Sequence, residues 1–169
     1  MTETERGPRD LCLRVVVMGG ASAVFVGALA PGADPLRLGT VHDFELSMRF
    51  ETFGVDPWAG DGAAGAALER AAHQLDALVL TDALAAGTHY SSSAVERLCR
   101  ALQPARVVVP TVIYGGPALA MEWQTLTGVT PVLICEPQPD NAMPAVKALA
   151  KAALRALRKS EPPPSVRGG

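Results

Sequence analysis

The first candidate for chemistry is the glycine pair Gly19-Gly20, which ends the apolar run 11–18 and precedes a short apolar helix over 21–29. A buried strand, a glycine turn and a helix are how a phosphate-binding loop begins, because glycine lets backbone amides approach the phosphates closely. The pair therefore predicts either a ligand-free turn at the end of a strand or a residual anion or nucleotide site.

The rest of a phosphate-binding motif is missing from this stretch. The full motif reads G-x-x-x-x-G-K-[ST]: its amides cradle the phosphates, its lysine neutralises them and its hydroxyl holds Mg²⁺. Counted from either glycine, the lysine position falls on Phe25 or Val26, Ser22 is the only hydroxyl before them, and the first lysine of the chain is Lys147. A triphosphate buried without lysine or Mg²⁺ would leave roughly four charges uncompensated, each costing several kcal/mol. We therefore expect Phe25 and Val26 to fill with apolar packing the space of a phosphate ligand.

A second candidate site is an acid–base cluster of Asp82, His89 and Glu136. A histidine that is oriented by a carboxylate is the commonest general acid or base, and these residues lie in predicted loops that follow buried strands. The sequence does not show that they meet, so the enzyme hypothesis stands beside ordinary loop and helix-cap roles. Cys135 is interpreted as a small core residue, with a nucleophile near His89 as the alternative.

The three cysteines, Cys12, Cys99 and Cys135, are scattered along the chain. No CxxC pair or Cys/His cluster occurs, so we predict no metal site. An odd number of unclustered cysteines is typical of a reducing compartment, and we predict a cytoplasmic location.

Composition argues against two further classes of function and predicts a single domain. The formal net charge of -2 provides no electrostatic basis for binding nucleic acid. No run of about 18 apolar residues occurs, so no membrane span is predicted. The 49% apolar content suits one domain over 11–159. We predict disordered segments before and after it, at 1–10 and 160–169. The segment 1–10 lacks the apolar region of a signal peptide.

Apolar runs alternate with helical patterns along this domain. Four continuous runs are typical of strands buried on both faces, as in a parallel sheet: 11–18, 76–82, 106–113 and 131–135. The stretch 44–53 alternates with period two instead, and 36–41 is its predicted antiparallel partner across a turn at His42-Asp43. Helices are predicted over 66–75, 91–102, 117–126 and 141–159. The prediction is an α/β fold: a three-layer, doubly wound, mostly parallel sheet with an antiparallel edge hairpin, whose ligands bind beyond the carboxyl ends of the strands.

This order of elements resembles the Ras-like small GTPase fold, and most closely its bacterial MglA-type and conservon-type members. The resemblance spans residues 11–158, which is nearly the whole domain, and four segments carry it: Val15-Val-Val-Met-Gly-Gly20, Phe50-Glu-Thr-Phe-Gly-Val-Asp56, Leu78-Val-Leu-Thr-Asp82, and Pro131-Val-Leu-Ile-Cys-Glu136 with the final helix. They look like the first strand with its phosphate loop, the start of switch II, a strand that closes on aspartate, and the last strand with its base-contacting loop. The resemblance implies a Ras-like P-loop NTPase fold, with GTP or GDP and Mg²⁺ as the ligands of active members.

The residues with which the family binds nucleotide and metal and positions the attacking water are missing from these segments. Asp56 matches a Walker-B-like carboxylate, yet no phosphate-loop hydroxyl shares a metal with it, and no glutamine follows to orient a water molecule. The stretch 110–113 stands where the family has Asn-Lys-x-Asp, and 135–137 stands at its Ser-Ala-Lys loop. Losses at four strand ends favour a degenerate nucleotide site at Gly19, Gly20, Ser22 and Asp56, which we expect to be empty.

We therefore interpret the chain as a non-catalytic pseudo-GTPase, a scaffold that acts through protein–protein interaction. The edge hairpin and the loop over 54–65 resemble the switch regions, and the candidate contact residues are Phe53, Trp58 and Asp61. Trp58 ranks first because tryptophan is enriched at interface hot spots. The resemblance implies a roadblock-type protein or a GTPase of the same fold as the partner, with a homodimer as a further option. Two alternatives stay open: an atypical GTP-binding protein, and an unrelated α/β enzyme that uses the acid–base cluster.

Overall fold

The computed structural model describes residues 7, 9–29, 35–53, 63–81, 100, 109–128 and 130–160. The elements in these ranges are, in chain order, β1 (Arg9–Met18), α1 (Ser22–Gly27), β2 (Leu36–Val41), β3 (Phe44–Phe53), α2 (Ala63–Ala72), β4 (Ala77–Thr81), β5 (Thr111–Tyr114), α3 (Pro117–Thr127), β6 (Leu133–Cys135), a 3-10 turn (Pro139–Asn141) and α4 (Ala142–Ser160). The strands form one six-stranded sheet in the order β2-β3-β1-β4-β5-β6.

The sheet is mostly parallel, with one antiparallel pair at its edge. β1 runs parallel to β3 and β4, and β4, β5 and β6 continue in parallel, whereas β2 and β3 form an antiparallel hairpin. The predicted α/β class and edge hairpin are confirmed. Arg9 and Asp10, which composition assigned to a disordered segment, belong to β1 instead, because they pair with Phe44 and Glu45 of β3.

Two apolar clusters, one on each face of the sheet, explain why β1 reads as a continuous apolar run. Leu13, Val15 and Val17 pack with α1 and α4, while Val16 and Met18 pack with α2 and α3. Fully burying a side chain of this size stabilises the fold by about 1.5–3 kcal/mol relative to leaving it exposed. Helices therefore lie on both faces of the sheet, as the predicted three layers require.

The final helix α4 follows its sequence pattern closely. Its predicted apolar stripe is buried except for a half-buried Leu157: the buried members are Val146, Leu149, Ala150, Ala153 and Leu154. Lys147, Lys151 and Arg155 are exposed on the other side. Among the described residues, no helix combines the length and the apolar character that crossing a membrane requires.

The far edge of the sheet differs from prediction. The strand predicted over 106–113 had its apolar core at 106–109, but β5 spans Thr111–Tyr114 and therefore lies later in the chain. Residues 106–108 lie outside the described residues. β6 was predicted to be buried on both faces, but it is an edge strand, and Ile134 is 45% exposed. A short apolar run has the same pattern in an edge strand and in an interior strand, so sequence could not separate the two.

The predicted helix over 91–102 lies outside the described residues apart from Arg100, which is helical.

Candidate functional site

The turn after β1 is closed by its own polar groups. Gly19 has a φ of +124°, a conformation that favours glycine, and its N–H donates to the carbonyl of Phe53 at 2.9 Å. The Gly19 carbonyl accepts the backbone N–H of Ser22 at 3.3 Å and the Ser22 hydroxyl at 2.9 Å. Ser22 is only 9% exposed, so its single hydroxyl proton is used inside the turn, and Gly20 forms the exposed part.

A buried threonine from the neighbouring strand holds the same turn. Thr81, the last residue of β4, is fully buried, and its Oγ1 donates to the Met18 carbonyl at 3.0 Å. The same oxygen accepts the N–H of Ala21 at 3.2 Å. A hydroxyl has one proton and two lone pairs, so this one side chain can bridge both groups. The amides of Gly19 and Ala21 are thus bonded to protein acceptors.

Sequence reasoning missed Thr81 and chose its neighbour Asp82. The available signal was a polar residue that ends an otherwise apolar buried strand, since buried polar groups are almost always hydrogen-bonded. Which carbonyl and which amide it joins depends on the register between β1 and β4, in which Met18 lies opposite Leu80.

An aromatic cluster forms the core next to this turn. Phe25 of α1 is fully buried and meets Tyr114 edge-to-face, with ring centroids 5.0 Å apart, and Phe50 at 6.1 Å. Each such pair contributes about 0.5–1.5 kcal/mol beyond the burial of its area. Val26 is half-buried against the same cluster. Phe25 therefore packs in the apolar core, while Val26 is only partly enclosed. That these side chains fill the space of a phosphate ligand stays a prediction.

Tyr114 also ties the end of β5 to the loop before α4. Its hydroxyl donates to the carbonyl of Gln138. Burial, followed by the charges of Cys135 and Asp140, raises the pKa of the Tyr114 phenol above its ordinary value of 10.0. The phenol is therefore a neutral hydrogen-bond donor at physiological pH.

The ends of β5 and β6 are joined through Cys135 and Glu136. The N–H groups of Gly115 and Gly116 donate to the Cys135 carbonyl at 3.0 and 3.3 Å. Gly116, the N-cap residue before α3, has a φ of +101°, and both carboxylate oxygens of Glu136 lie 4.0 Å from the position that a Cβ on Gly116 would occupy. Asn141 Nδ2 donates to the Glu136 carbonyl at 3.0 Å. A carboxylate beside a helix N-terminus is stabilising by about 0.3–1 kcal/mol, so this position lets Glu136 stabilise the start of α3.

The environment of Cys135 favours the interpretation as a core residue. The side chain is half-buried and packs against the cluster that contains Phe25. Burial, and then the charge of Glu136, raises the pKa of the Cys135 thiol above its ordinary value of 9.0. Only the thiolate is a good nucleophile, so this raised pKa works against a nucleophilic role.

Of the predicted site residues, the structure brings Gly19, Gly20 and Ser22 together in one turn. Glu136 follows β6, which β4 and β5 separate from β1 in the sheet. Phe53 is 7% exposed and packs in the cluster under α2, so its side chain belongs to the core rather than to a contact surface. The other predicted site residues lie outside the described residues and stay predictions: Asp56, Trp58, Asp61, Asp82 and His89.

Within the described ranges, no three His, Cys, Asp or Glu side chains lie close enough to hold a metal ion. No protein-family model matches the chain, and no curated protein sequence matches it.

Proposed function

We propose that this chain is a Ras-like pseudo-GTPase, which binds neither GTP nor Mg²⁺ in the manner of the family and acts by binding other proteins. The strand order β2-β3-β1-β4-β5-β6, with an antiparallel hairpin next to β1, supports the proposed fold because it is the arrangement that the resemblance implies. The observation that carries the proposal is the closed turn after β1, in which the Ala21 amide and the Ser22 hydroxyl have partners within the protein.

The closed turn opposes nucleotide binding for an energetic reason. To contact a phosphate, the Ala21 amide would have to leave Thr81, and the Ser22 hydroxyl would have to leave the Gly19 carbonyl. Each broken bond would leave a buried polar partner unsatisfied, which costs about 1–3 kcal/mol. No lysine precedes Lys147 in the chain, so the usual cation that repays this cost in a phosphate loop is missing.

The protein-binding half of the proposal rests on residues 54–62, the part of the predicted loop that precedes α2; residues 63–65, which were predicted to belong to this loop, are helical. The segment stands where the family has switch II. Since Phe53 is a core residue, Trp58 and Asp61 are left as the proposed contact residues. The proposed partner is a roadblock-type protein or a GTPase of the same fold, and a second copy of this chain is the alternative.

We expect fluorescent GTP and GDP to show no saturable binding to the full chain, with or without Mg²⁺. We also expect no thermal stabilisation at about 1 mM nucleotide, where a Kd of about 10 µM would stabilise the fold by about 2.7 kcal/mol. ATP serves as the matched control for non-specific effects. Micromolar affinity for GTP would contradict the proposal and favour the atypical GTP-binding protein.

We expect a Trp58→Ala chain, used as bait in a pull-down with a purified roadblock-type protein or same-fold GTPase, to lose the partner that the wild-type chain retains. Truncating a central interface tryptophan typically weakens binding by about 30-fold or more. Met121→Ala is the control, because Met121 is a large apolar residue of α3 that is 68% exposed. Equal recovery by the wild type and Trp58→Ala would argue against the segment 54–62 as the contact surface.

A further inference from the structure

The outer face of the final helix α4 carries a row of cations that the core does not use. Lys147, Lys151 and Arg155 follow one another at intervals of four residues, so they share one side of the helix at a spacing of about 6 Å along its axis. All three are exposed, and we call them the basic ridge. The same interval leads to Lys159 in the sequence, and every lysine of the chain lies in α4.

No carboxylate within α4 offsets the basic ridge, because the helix contains neither Asp nor Glu. The nearest carboxylates along the sequence are Asp140, seven residues before Lys147, and Glu161, six residues after Arg155. Glu136 lies beside the start of α3 instead. Within the part of the chain that the structure describes, no ion pair or hydrogen bond involves a side chain of the ridge. Cations four residues apart on a helix repel one another, and an external anionic surface would relieve this repulsion.

The elements that pack with α4 add few charges beside the ridge. α1, β5 and β6 contain no charged residue, and the 3-10 turn adds only the carboxylate of Asp140. The acidic residues of β1 and β3 alternate with core residues and point to the opposite face of the sheet: Asp10, Glu45 and Glu51. At the hairpin turn, Arg9 and Asp43 are neighbours with opposite charges. The described surroundings therefore leave the ridge positive.

The charge of the whole chain is divided unevenly between α4 and the remainder. α4 holds five of the 15 basic residues and none of the 17 acidic ones, so the remainder has ten basic and 17 acidic residues. An anionic surface attracts the helix and repels the remainder, which turns α4 toward that surface. Such charge asymmetry is typical of proteins that bind membranes or nucleic acids.

The side chains around the ridge favour a lipid surface over a protein or a nucleic acid. Protein interfaces are anchored by aromatic residues and are depleted in lysine, whereas α4 has no aromatic residue and presents the half-buried Ala148 and Ala152 beside its cations. Nucleic-acid contacts combine cations with hydroxyl and amide side chains, and α4 has none of these before its last residue, Ser160. Anionic lipid headgroups require only the positive charge that the ridge supplies.

The apolar side of α4 is already used within the fold. Val146, Leu149 and Leu154 are buried against the sheet, so they are not available to enter a bilayer. A helix held in this way contacts headgroups through its charges alone. Its attachment is therefore reversible and sensitive to salt.

We propose that the basic ridge of α4 attaches this protein to the surface of membranes rich in anionic phospholipid, without insertion. This inference goes beyond the proposed pseudo-GTPase role. It uses a different face of the molecule and requires no nucleotide and no protein partner, so either proposal can fail while the other stands.

The test is sedimentation of the purified full chain with vesicles made of equal parts phosphatidylcholine and phosphatidylserine, or of phosphatidylcholine alone. At about 0.1 M salt, where the Debye length is about 10 Å, we expect the chain to sediment with the anionic vesicles only. Raising the salt to about 1 M, where the Debye length is about 3 Å, should release it. Lys147→Gln together with Lys151→Gln should weaken binding about 20-fold or more, since each cation near such a surface contributes about fivefold. Lys147→Arg together with Lys151→Arg should retain binding, because the charge is kept.

The matched control is Arg37→Gln together with Arg70→Gln, which removes two exposed charges from β2 and α2 and should leave binding nearly unchanged. Gln and Lys have similar helix propensities, so the ridge variants should fold, and far-UV circular dichroism checks this. No binding to the anionic vesicles, equal binding to both kinds of vesicle, or equal weakening by the ridge pair and the control pair would overturn the proposal. Binding to polyglutamate or duplex DNA at concentrations where the anionic vesicles do not bind would overturn the lipid assignment.

Discussion

Replacing Phe25 by alanine is expected to lower the free energy of unfolding by about 3–5 kcal/mol. Phe25 is fully buried, and it makes edge-to-face contacts with Tyr114 and Phe50 that alanine cannot replace. The cavity left behind would lie where α1, β3 and β5 meet. Urea unfolding of the two chains, followed by far-UV circular dichroism, measures the difference.

Val26→Ala is the matched control for Phe25→Ala, because Val26 is the next residue of α1 and is only half-buried. A loss of about 1 kcal/mol is expected from the two methyl groups that this control removes. If Phe25→Ala cost no more than Val26→Ala, Phe25 would not be the central residue of the aromatic cluster.

Replacing Thr81 by valine is expected to cost about 1–3 kcal/mol, although valine has nearly the same shape. The hydroxyl bridges the Met18 carbonyl and the Ala21 N–H in a fully buried position, so its removal leaves the Ala21 donor without its acceptor. Urea unfolding gives the free energy, and hydrogen exchange of the Ala21 amide gives the local effect. We expect that amide to exchange faster in the variant.

Two controls separate the hydroxyl of Thr81 from its methyl group and from surface effects. Thr81→Ser keeps the hydroxyl and should retain most of the protection of the Ala21 amide. Thr40→Val removes an exposed hydroxyl that bonds Glu45 Oε1 at 2.6 Å, and exposed changes of this kind usually stay within about 0.5 kcal/mol. Equal exchange rates in Thr81→Val and the wild type would show that the threonine does not close the turn.

The closed turn is also the feature that links stability to the proposed function. In a phosphate loop, the backbone amides after the first strand donate hydrogen bonds to the ligand. That ligand binds only the native state, so it contributes to the stability of the fold. Here the Ala21 amide donates a hydrogen bond to Thr81 Oγ1, and the Ser22 hydroxyl donates one to the Gly19 carbonyl. The turn is thus complete without a ligand, as a protein that uses this fold as a scaffold would require.

Local periodicity was sufficient for much of the fold. The apolar run of β1, the alternating hairpin and the stripe on α4 each follow from the spacing of apolar residues, because the backbone geometry of a strand or a helix sets which residues share a face. The missing lysine of the phosphate motif was equally readable from sequence, and it led to the prediction that Phe25 packs in the core.

Tertiary structure alone decided the features that depend on which distant residues become neighbours. The sequence predicted a buried strand over 76–82 that contains Thr81, but the structure ends this strand at Thr81, and the register of β4 against β1 decided that its hydroxyl meets Met18 and Ala21. Arg14 and Arg49 are ordinary polar positions in sequence, and only the pairing of β1 with β3 placed them in one cavity. Strand pairing joins segments that lie far apart along the chain, and one residue of slip would turn each side chain to the other face.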